Sequence, residues 1–178
     1  MKKYIILAVF LIAIALGALA YAQSKSPLKV IKNTIASMNS QDWEKFIELQ
    51  TAQSQSDYRA FFNNQQNKDN KEGAFNVSAA ELYEIKELAL EDVSAFTKTY
   101  EYESEYNQVK AFYAGIRFAV EKENAYYFNG VNYRLIIAVK EDGNWRVAEM
   151  SDAPIESFDS SMRFNSEPEA QALDNALS

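Results

Sequence analysis

The chain has 178 residues, and 18 lysines and arginines against 25 aspartates and glutamates give it a formal net charge of −7. This acidic balance argues against nucleic acid as a partner, because phosphate backbones are held by clustered lysine and arginine side chains. The sequence has no histidine and no cysteine, which excludes Ser-His-Asp and Cys-His nucleophiles and zinc sites built from these residues. We expect no metal and no cofactor, and any catalysis would depend on carboxylate, Tyr, Lys or Ser side chains.

The first 22 residues have the pattern of a secretory signal peptide. Lys2 and Lys3 precede an uncharged apolar run over 4–20, and Ala-Tyr-Ala at 20–22 fits a signal-peptidase site. The run is also close to the length that spans a bilayer, so an uncleaved anchor with its lysines inside is the alternative. Either way we expect a secreted or extracytoplasmic protein that meets the membrane only through residues 4–22. The lack of disulfides favours a bacterial origin.

Residues 26–62 predict three helices. Ser26 and Pro27 are typical of an N-cap and a first helical position, and a second helix begins at Gln41-Asp42. The motif Ser54-x-x-Asp57 resembles a capping box and predicts a third, short helix. The polar run 63–72 predicts a solvated loop. Apolar residues follow each start at helical spacing: Leu28, Ile31, Ile35 and Met38, then Trp43, Phe46 and Ile47, then Tyr58, Phe61 and Phe62.

The region from 75 to 106 has conflicting periodicities. Residues 82–90 fit a strand or a capped helix. We favour the strand, because the β-sheet predicted from the later residues needs a strand here. Tyr100, Tyr102 and Tyr106 alternate with glutamates, which is typical of a strand with its acids toward water. A helix is the alternative, because three side chains have the spacing of one helix face: Val93, Phe96 and Tyr100. Both structures stay open for this segment.

The carboxyl-terminal half predicts an antiparallel meander. Residues 110–120 alternate as a long strand, Asn129-Gly130 signals a two-residue hairpin turn, and residues 131–140 form the next strand. Asp142-Gly143 predicts a second tight turn into a strand over 144–150. The register that follows from this turn places these residues opposite one another: Lys140 and Trp145, Val139 and Arg146, Ala138 and Val147, Ile137 and Ala148, and Leu135 and Met150.

Both faces of this predicted sheet are substantially apolar, so each should be covered. We expect the N-terminal helices to cover one face, and a pocket, a partner subunit or another domain to cover the other. Beyond Pro154 the chain turns polar. Residues 157–178 are therefore expected to form a peripheral tail with a short helix that starts at Glu167-Pro168.

Together these elements resemble the NTF2-like (cystatin-related) α+β cone, in which N-terminal helices pack on a curved antiparallel sheet. The opening, with Ile35-Ala-Ser-Met-Asn-Ser-Gln-Asp-Trp43, resembles the family's helix, short polar break and aromatic-led helix. The closing Tyr133-Arg-Leu-Ile-Ile-Ala-Val-Lys-Glu-Asp-Gly-Asn-Trp-Arg-Val147 resembles its last hairpin, where Asp-Gly-x-Trp-x-Val/Ile recurs. The resemblance implies one domain over 23–156, as in some exported envelope proteins. Catalytic members commonly use an Asp–His pair, which a chain without histidine cannot supply.

Three side chains are candidates for a ligand site at the mouth of such a cone: Tyr113, Arg117 and Tyr133. The guanidinium would hold a carboxylate or a phosphate through two parallel hydrogen bonds. The competing interpretation is that Arg117 pairs with one of the many acids and that the tyrosines are packing residues. A calcium site at the glutamates 101, 103 and 105 is not supported, because no loop of spaced Asp and Asn residues with a turn glycine accompanies them.

These patterns favour a non-catalytic extracytoplasmic module that binds a small molecule or an envelope protein through the second, concave face of its sheet. A homodimer through that sheet is a further expectation. The alternative function is a histidine-free lyase or hydrolase with a carboxylate base, which would need a carboxylate in a cleft. Whether the chain is an enzyme stays open, and the balance is against it.

Overall fold

The computed structural model describes residues 26–124 and 126–177, with side chains described as far as residue 174. The predicted signal peptide or anchor lies outside the described residues. Within them, no helix combines the length and the apolar character needed to cross a membrane. The described chain is an α+β fold in which helices accompany a curved, unclosed sheet of four antiparallel strands, as the sequence predicted.

The first two predicted helices are confirmed, together with their caps. Helix α1 spans Pro27–Ser40, and the Ser26 hydroxyl accepts a hydrogen bond from the Leu28 backbone N–H. Helix α2 spans Trp43–Glu48, and the Asp42 carboxylate accepts from the Lys45 backbone N–H at 3.0 Å. In both cases a short polar side chain satisfies a backbone donor that has no partner inside the helix.

The predicted capping box at Ser54 is wrong, and so is the loop over 63–72. The third predicted helix itself is confirmed as α3, Ala52–Asn63, but Ser54 and Asp57 lie inside it, and Thr51 is the residue before its start. Within 63–72 the chain forms helix α4, Gln65–Asp69, because the Asn64 side chain caps it by accepting from two backbone N–H groups. A 3₁₀ turn, Gly73–Asn76, then leads into the sheet.

The strands follow in chain order, β1 at Val77–Leu88, β2 at Val109–Val120, β3 at Gly130–Glu141 and β4 at Asn144–Asp152. They pair as neighbours in the order β1-β2-β3-β4. Two short helices, α5 at Leu90–Val93 and α6 at Thr99–Glu105, connect β1 to β2. After β4 come a 3₁₀ turn at Ile155–Ser157 and helix α7 at Glu167–Leu177.

The two open questions of the middle region are settled in different ways. The strand favoured over 82–90 is confirmed as part of β1. The strand suggested by the alternating tyrosines is wrong, because Thr99–Glu105 is helix α6. Tyr102 and Tyr106 are four residues apart and both pack against a buried cluster, whereas Tyr100 is 74% exposed. Tyr102 lies within α6, and Tyr106 is the residue that directly follows it. The single helix face suggested for Val93, Phe96 and Tyr100 is also wrong, because Val93 belongs to α5 and Tyr100 is exposed.

One of the two predicted turns is confirmed. Asp142 and Gly143 have φ angles of 49° and 77°, the left-handed pair of a type I′ hairpin turn. The Asn129-Gly130 turn is wrong, since residues 121–129 form a longer connection and Gly130 already pairs with Phe118. The Asn129 side chain accepts instead from the Val120 backbone N–H at 2.9 Å, which fastens the end of this connection to β2.

A β-bulge displaces part of the predicted register between β3 and β4. The pairs next to the turn are as predicted: Lys140 with Trp145, Val139 with Arg146, and Ala138 with Val147. The bulge lies between Ile137 and Ala138, so Ile137 pairs with Glu149 and Leu135 with Ser151, and the predicted partners Ala148 and Met150 are wrong. An extra residue on one strand moves every later pair by one position.

Two buried clusters lie on opposite faces of the sheet. The helix-side core packs helices α1 and α2 on the even-numbered residues of β2 and β3, among them Phe112, Ile116 and Ile136. The tail-side core lies on the odd-numbered residues, and its sheet members include Tyr113, Tyr133, Leu135, Ile137 and Val139. The alternation of inward side chains along each strand thus serves two cores at once.

The chain's own C-terminal segment, residues 153–177, covers the tail-side core. Ile155, Phe158 and Met162 are buried there, and Phe164 and Leu173 pack against the same cluster. The predicted short helix is present as α7. The tail is not peripheral as expected, because its apolar residues are part of a buried cluster. The face that the sequence left open for a pocket or a partner is filled by a segment whose few apolar residues are widely spaced.

Candidate functional site

Four of the cavities on the surface of the described residues have volumes of about 660, 220, 370 and 400 Å³. Tyr113 and Tyr133 line none of these four, whereas Arg117 lines the one of about 400 Å³ together with Asn39 and Glu81. The sequence-predicted trio is therefore divided between the interior and the surface of the protein.

The two predicted tyrosines lie side by side in the tail-side core. Their ring centroids are 5.4 Å apart, and both side chains are buried. The Tyr113 hydroxyl donates to the Glu169 carboxylate at 2.7 Å, and the Tyr133 hydroxyl donates to Glu84 at 2.6 Å. Both hydroxyls are thus satisfied by the chain itself, which is the packing role that competed with a ligand role.

Glu169 is the buried acceptor of this cluster, with 2% of its surface exposed. Besides Tyr113, the backbone N–H groups of Phe164 and Asn165 donate to it, at 3.0 and 2.6 Å. Burial, followed by the hydrogen bond to Glu169, raises the pKa of Tyr113 far above its usual value. Burial and the hydrogen bond to Glu84 likewise raise the pKa of Tyr133. These groups join the C-terminal segment to the sheet.

Arg117, the third predicted residue, is on the outside of the sheet. Its guanidinium pairs with Glu81 at 3.1 Å and lies over the Tyr83 ring, 4.8 Å from the ring centroid. About half of its side chain is exposed. The local arrangement matches the interpretation of an edge charge paired with an acid, and the predicted role of the trio in ligand binding stays a prediction.

The largest of the four cavities, about 660 Å³, lies on the helix side of the sheet, beside the last residues of β4. We call it the Arg134 cavity. The connection between β2 and β3, the end of β4 and the 3₁₀ turn before β1 form its walls. Its lining consists of Glu72, Gly73, Asn124, Tyr126, Tyr127, Arg134, Met150, Ser151 and Asp152.

Arg134 is a buried charge in the lining of this cavity, with 6% of its surface exposed. Its guanidinium donates to the Asp152 carboxylate and to the Tyr126 and Tyr133 carbonyls. It also lies 5.5 Å from the centroid of the Tyr127 ring. Burial raises the pKa of the Tyr127 hydroxyl, and the nearby guanidinium opposes this effect. The ion pair and the ring contact together fix the orientation of the arginine.

The opening of the Arg134 cavity has a different character from its interior. Tyr126 is 67% exposed, and about half of the Asp152 side chain is accessible. Glu72 adds a second exposed carboxylate. Two acids and an aromatic ring thus face the solvent, while the one arginine of the lining is buried and already bonded to protein acceptors. Such a site complements a positively charged group with an apolar body.

Sequence reasoning missed Arg134, although the sequence held a signal for it. It is the single charged residue in the run 131–139, and that run otherwise alternates between two apolar faces. A lone arginine in a doubly covered strand must find acceptors within the fold. Asp152, its partner, pairs with it directly across β3 and β4. The β-bulge that sequence reasoning did not foresee sets this pairing.

No group of three or more acidic residues in the described chain is arranged to hold a metal ion. Comparisons with protein-family models, with curated proteins and with solved structures give no match. The architecture of helices on a four-stranded antiparallel sheet is compatible with an NTF2-like cone. A function for this chain therefore has to be inferred from its own geometry.

Proposed function

We propose that the chain is a non-catalytic, extracytoplasmic member of the NTF2-like superfamily that binds a small amphipathic cation in the Arg134 cavity. The observation that carries the proposal is an open cavity of about 660 Å³ that joins the buried Arg134 and its half-exposed partner Asp152 to an exposed Tyr126 ring. Volumes of roughly 300–1,000 Å³ are usual for sites that take small organic ligands.

The charge of the lining supports a cationic group in the ligand. Arg134 is paired with Asp152 and with protein carbonyls, so the second carboxylate, Glu72, leaves the lining with a net negative charge. An ammonium group beside Asp152 gains from the carboxylate and from the faces of Tyr126 and Tyr127. Met150 offers the apolar body of the ligand an adaptable contact.

Two other expectations from the sequence gain less from this geometry. A partner or a second copy on the tail-side face of the sheet would first have to displace the C-terminal segment. For an enzyme with a carboxylate base, the most buried acid, Glu169, lines none of the four cavities and already accepts three hydrogen bonds. We therefore favour ligand binding on the helix side.

Ligand-observed NMR on the full chain tests the proposal with three probes of equal chain length: octylamine, octanoate and octanol. Octylamine should bind saturably and at least about tenfold more tightly than octanoate, because the two carboxylates of the lining attract an ammonium group and repel a carboxylate. Tyr126→Ala and Asp152→Asn should each weaken octylamine by about fivefold or more, the range of a lost cation–π or ion-pair contact. Tyr100→Ala is the matched control, because Tyr100 is an equally exposed tyrosine outside the cavity.

Three outcomes would contradict this function. One is that none of the probes binds saturably. Another is that octanoate binds more tightly than octylamine. The third is that Tyr100→Ala weakens octylamine as much as Tyr126→Ala does, which would place the probe on the general surface. The thermal midpoint of each variant shows whether the fold is intact, and Tyr126→Ala should leave it unchanged because this ring is largely in solvent.

A further inference from the structure

A second cavity, of about 370 Å³, lies beside the start of β4, whereas the Arg134 cavity lies beside its end, and the two linings carry opposite charge. We call it the Lys29 cleft. The first half of α1, the residue after α2 and the start of β4 meet there. It is lined by Ser26, Lys29, Val30, Asn33, Leu49, Asn144, Trp145 and Arg146. Two of these side chains are cationic and none is acidic, although acids outnumber bases in the chain by 25 to 18.

Arg146 is the best-placed donor of the cleft. One of its terminal nitrogens donates to the Glu48 backbone carbonyl, which holds the guanidinium in place. Its Nε is buried and has no hydrogen-bond partner among the described residues. A buried donor without an acceptor is unfavourable. The guanidinium also lines the cleft, where an oxyanion would match its charge. Neither Arg146 nor Lys29 forms an ion pair within the described residues.

Apolar and neutral polar residues surround the two cationic side chains in the cleft. Val30 and Leu49 are buried and form an apolar floor, while Asn33 and Asn144 add neutral polar groups. The Trp145 indole offers a flat wall. The start of α1 does not contribute free amides, because Leu28 and Lys29 already donate to Ser26. Binding at this place would therefore depend on side chains.

We propose that the Lys29 cleft binds a ligand through a phosphate group, with Lys29 and Arg146 as its cationic contacts and Trp145 as the wall beside it. A phosphate monoester carries about 1.5 to 2 negative charges near neutral pH. Two cationic side chains therefore match a phosphate better than they match a carboxylate, which carries one charge. The group can belong to a soluble phosphate ester or to a lipid headgroup, since both present the same oxyanion. The site is independent of the Arg134 cavity, which takes the opposite charge.

Titration of the ¹⁵N-labelled full chain with inorganic phosphate and with glycerol 3-phosphate tests the site directly. The chain has two tryptophans, so Trp145→Phe assigns the two indole N–H signals. The Trp145 signal should shift saturably, whereas that of Trp43 stays in place. Lys29→Gln should weaken phosphate about threefold and Arg146→Gln about tenfold, as expected for an exposed and a half-buried charge. Lys32→Gln is the matched control, since Lys32 is an exposed lysine of the same helix outside the lining.

Vesicles distinguish the two sources of the phosphate. The wild type and the Lys29→Gln/Arg146→Gln variant are compared on vesicles of phosphatidylcholine with and without phosphatidic acid, so that the N-terminal segment is the same in every arm. A lipid ligand requires a wild-type excess that appears only with phosphatidic acid, and equal binding assigns the cleft to a soluble ester. The proposal is overturned if the Trp145 signal does not saturate. It is also overturned if Lys32→Gln weakens phosphate as much as Lys29→Gln does, which would show general charge attraction.

Discussion

Replacing Glu169 by glutamine should loosen the C-terminal segment from the sheet. One carboxylate oxygen accepts from the Tyr113 hydroxyl and the Phe164 N–H, and the other accepts from the Asn165 N–H. A glutamine keeps one acceptor oxygen and turns an NH₂ donor toward the remaining donor. Hydrogen bonds to a charged group contribute about 1.5–3 kcal/mol each, so the free energy of unfolding should fall by about 2–3 kcal/mol. Tyr113→Phe removes one donor and leaves two, which should cost about 1 kcal/mol.

Urea unfolding of the full chain, followed by tryptophan fluorescence, measures these changes. Amide hydrogen exchange over residues 153–173 shows whether the loss is local. Glu167→Gln is the control, because Glu167 is an exposed glutamate of the same helix and its replacement should change stability by about 0.5 kcal/mol or less. A Glu169→Gln effect no larger than that of the control would refute the reasoning. Unchanged exchange over 153–173 would also refute it, because the segment would then be held by its apolar contacts alone.

Three further predictions address the tyrosines and two glycines. The pKa of Tyr102 is raised to about 12 by burial and by Glu149, and those of Tyr113 and Tyr133 are raised as well. The folded state therefore keeps these protons above the ordinary tyrosine pKa of about 10, where the unfolded chain loses them. Stability is therefore full below this pH, and the urea midpoint should fall as pH rises from 9 to 11. Tyr113→Phe should flatten that dependence, and a wild-type midpoint that does not fall would contradict the assignment. Gly115→Ala should cost about 1–3 kcal/mol in urea unfolding, because the new methyl meets Glu84 and Tyr133 at 3.0 Å and Val131 at 3.1 Å. Gly143→Ala meets no atom within 4 Å but must adopt a φ of 77°, so the loss should be about 1 kcal/mol, and a neutral result would show that the turn can change its backbone.

The parts of the fold that local chemistry determines were predictable from the sequence. Ser26 and Asp42 are short polar residues that precede apolar residues at helical spacing, and each caps the start of a helix. Asp142-Gly143 adopts the backbone angles of a hairpin turn. Asn129-Gly130 has the same turn chemistry but lies at the end of a longer connection. A turn signal therefore identifies residues that tolerate left-handed backbone, and it does not fix how many residues the connection contains.

The candidate sites were harder to predict, because they depend on contacts between distant parts of the chain. The bulge after Ile137 determines that Arg134 lies opposite Asp152, and nothing in the local sequence indicates it. The covering of the tail-side core depends on apolar residues spread over about twenty positions, from Ile155 to Leu173. Sparse residues without a helical or alternating period give no pattern, so a polar composition concealed a segment that the second core requires.

The two buried charges of the described chain, Glu169 and Arg134, differ in whether a ligand could reach the groups that they contact. Glu169, on the tail side, accepts hydrogen bonds from three donors of the chain and borders none of the four cavities. Arg134, on the helix side, is equally well bonded, but its acid partner is half-exposed and borders the largest of the four cavities. A ligand can reach Asp152 without breaking the core, whereas a ligand at Glu169 would first have to separate α7, which carries this residue, from the sheet. Access to the partner of a buried charge, more than the burial itself, therefore favours the proposed binding site beside Arg134.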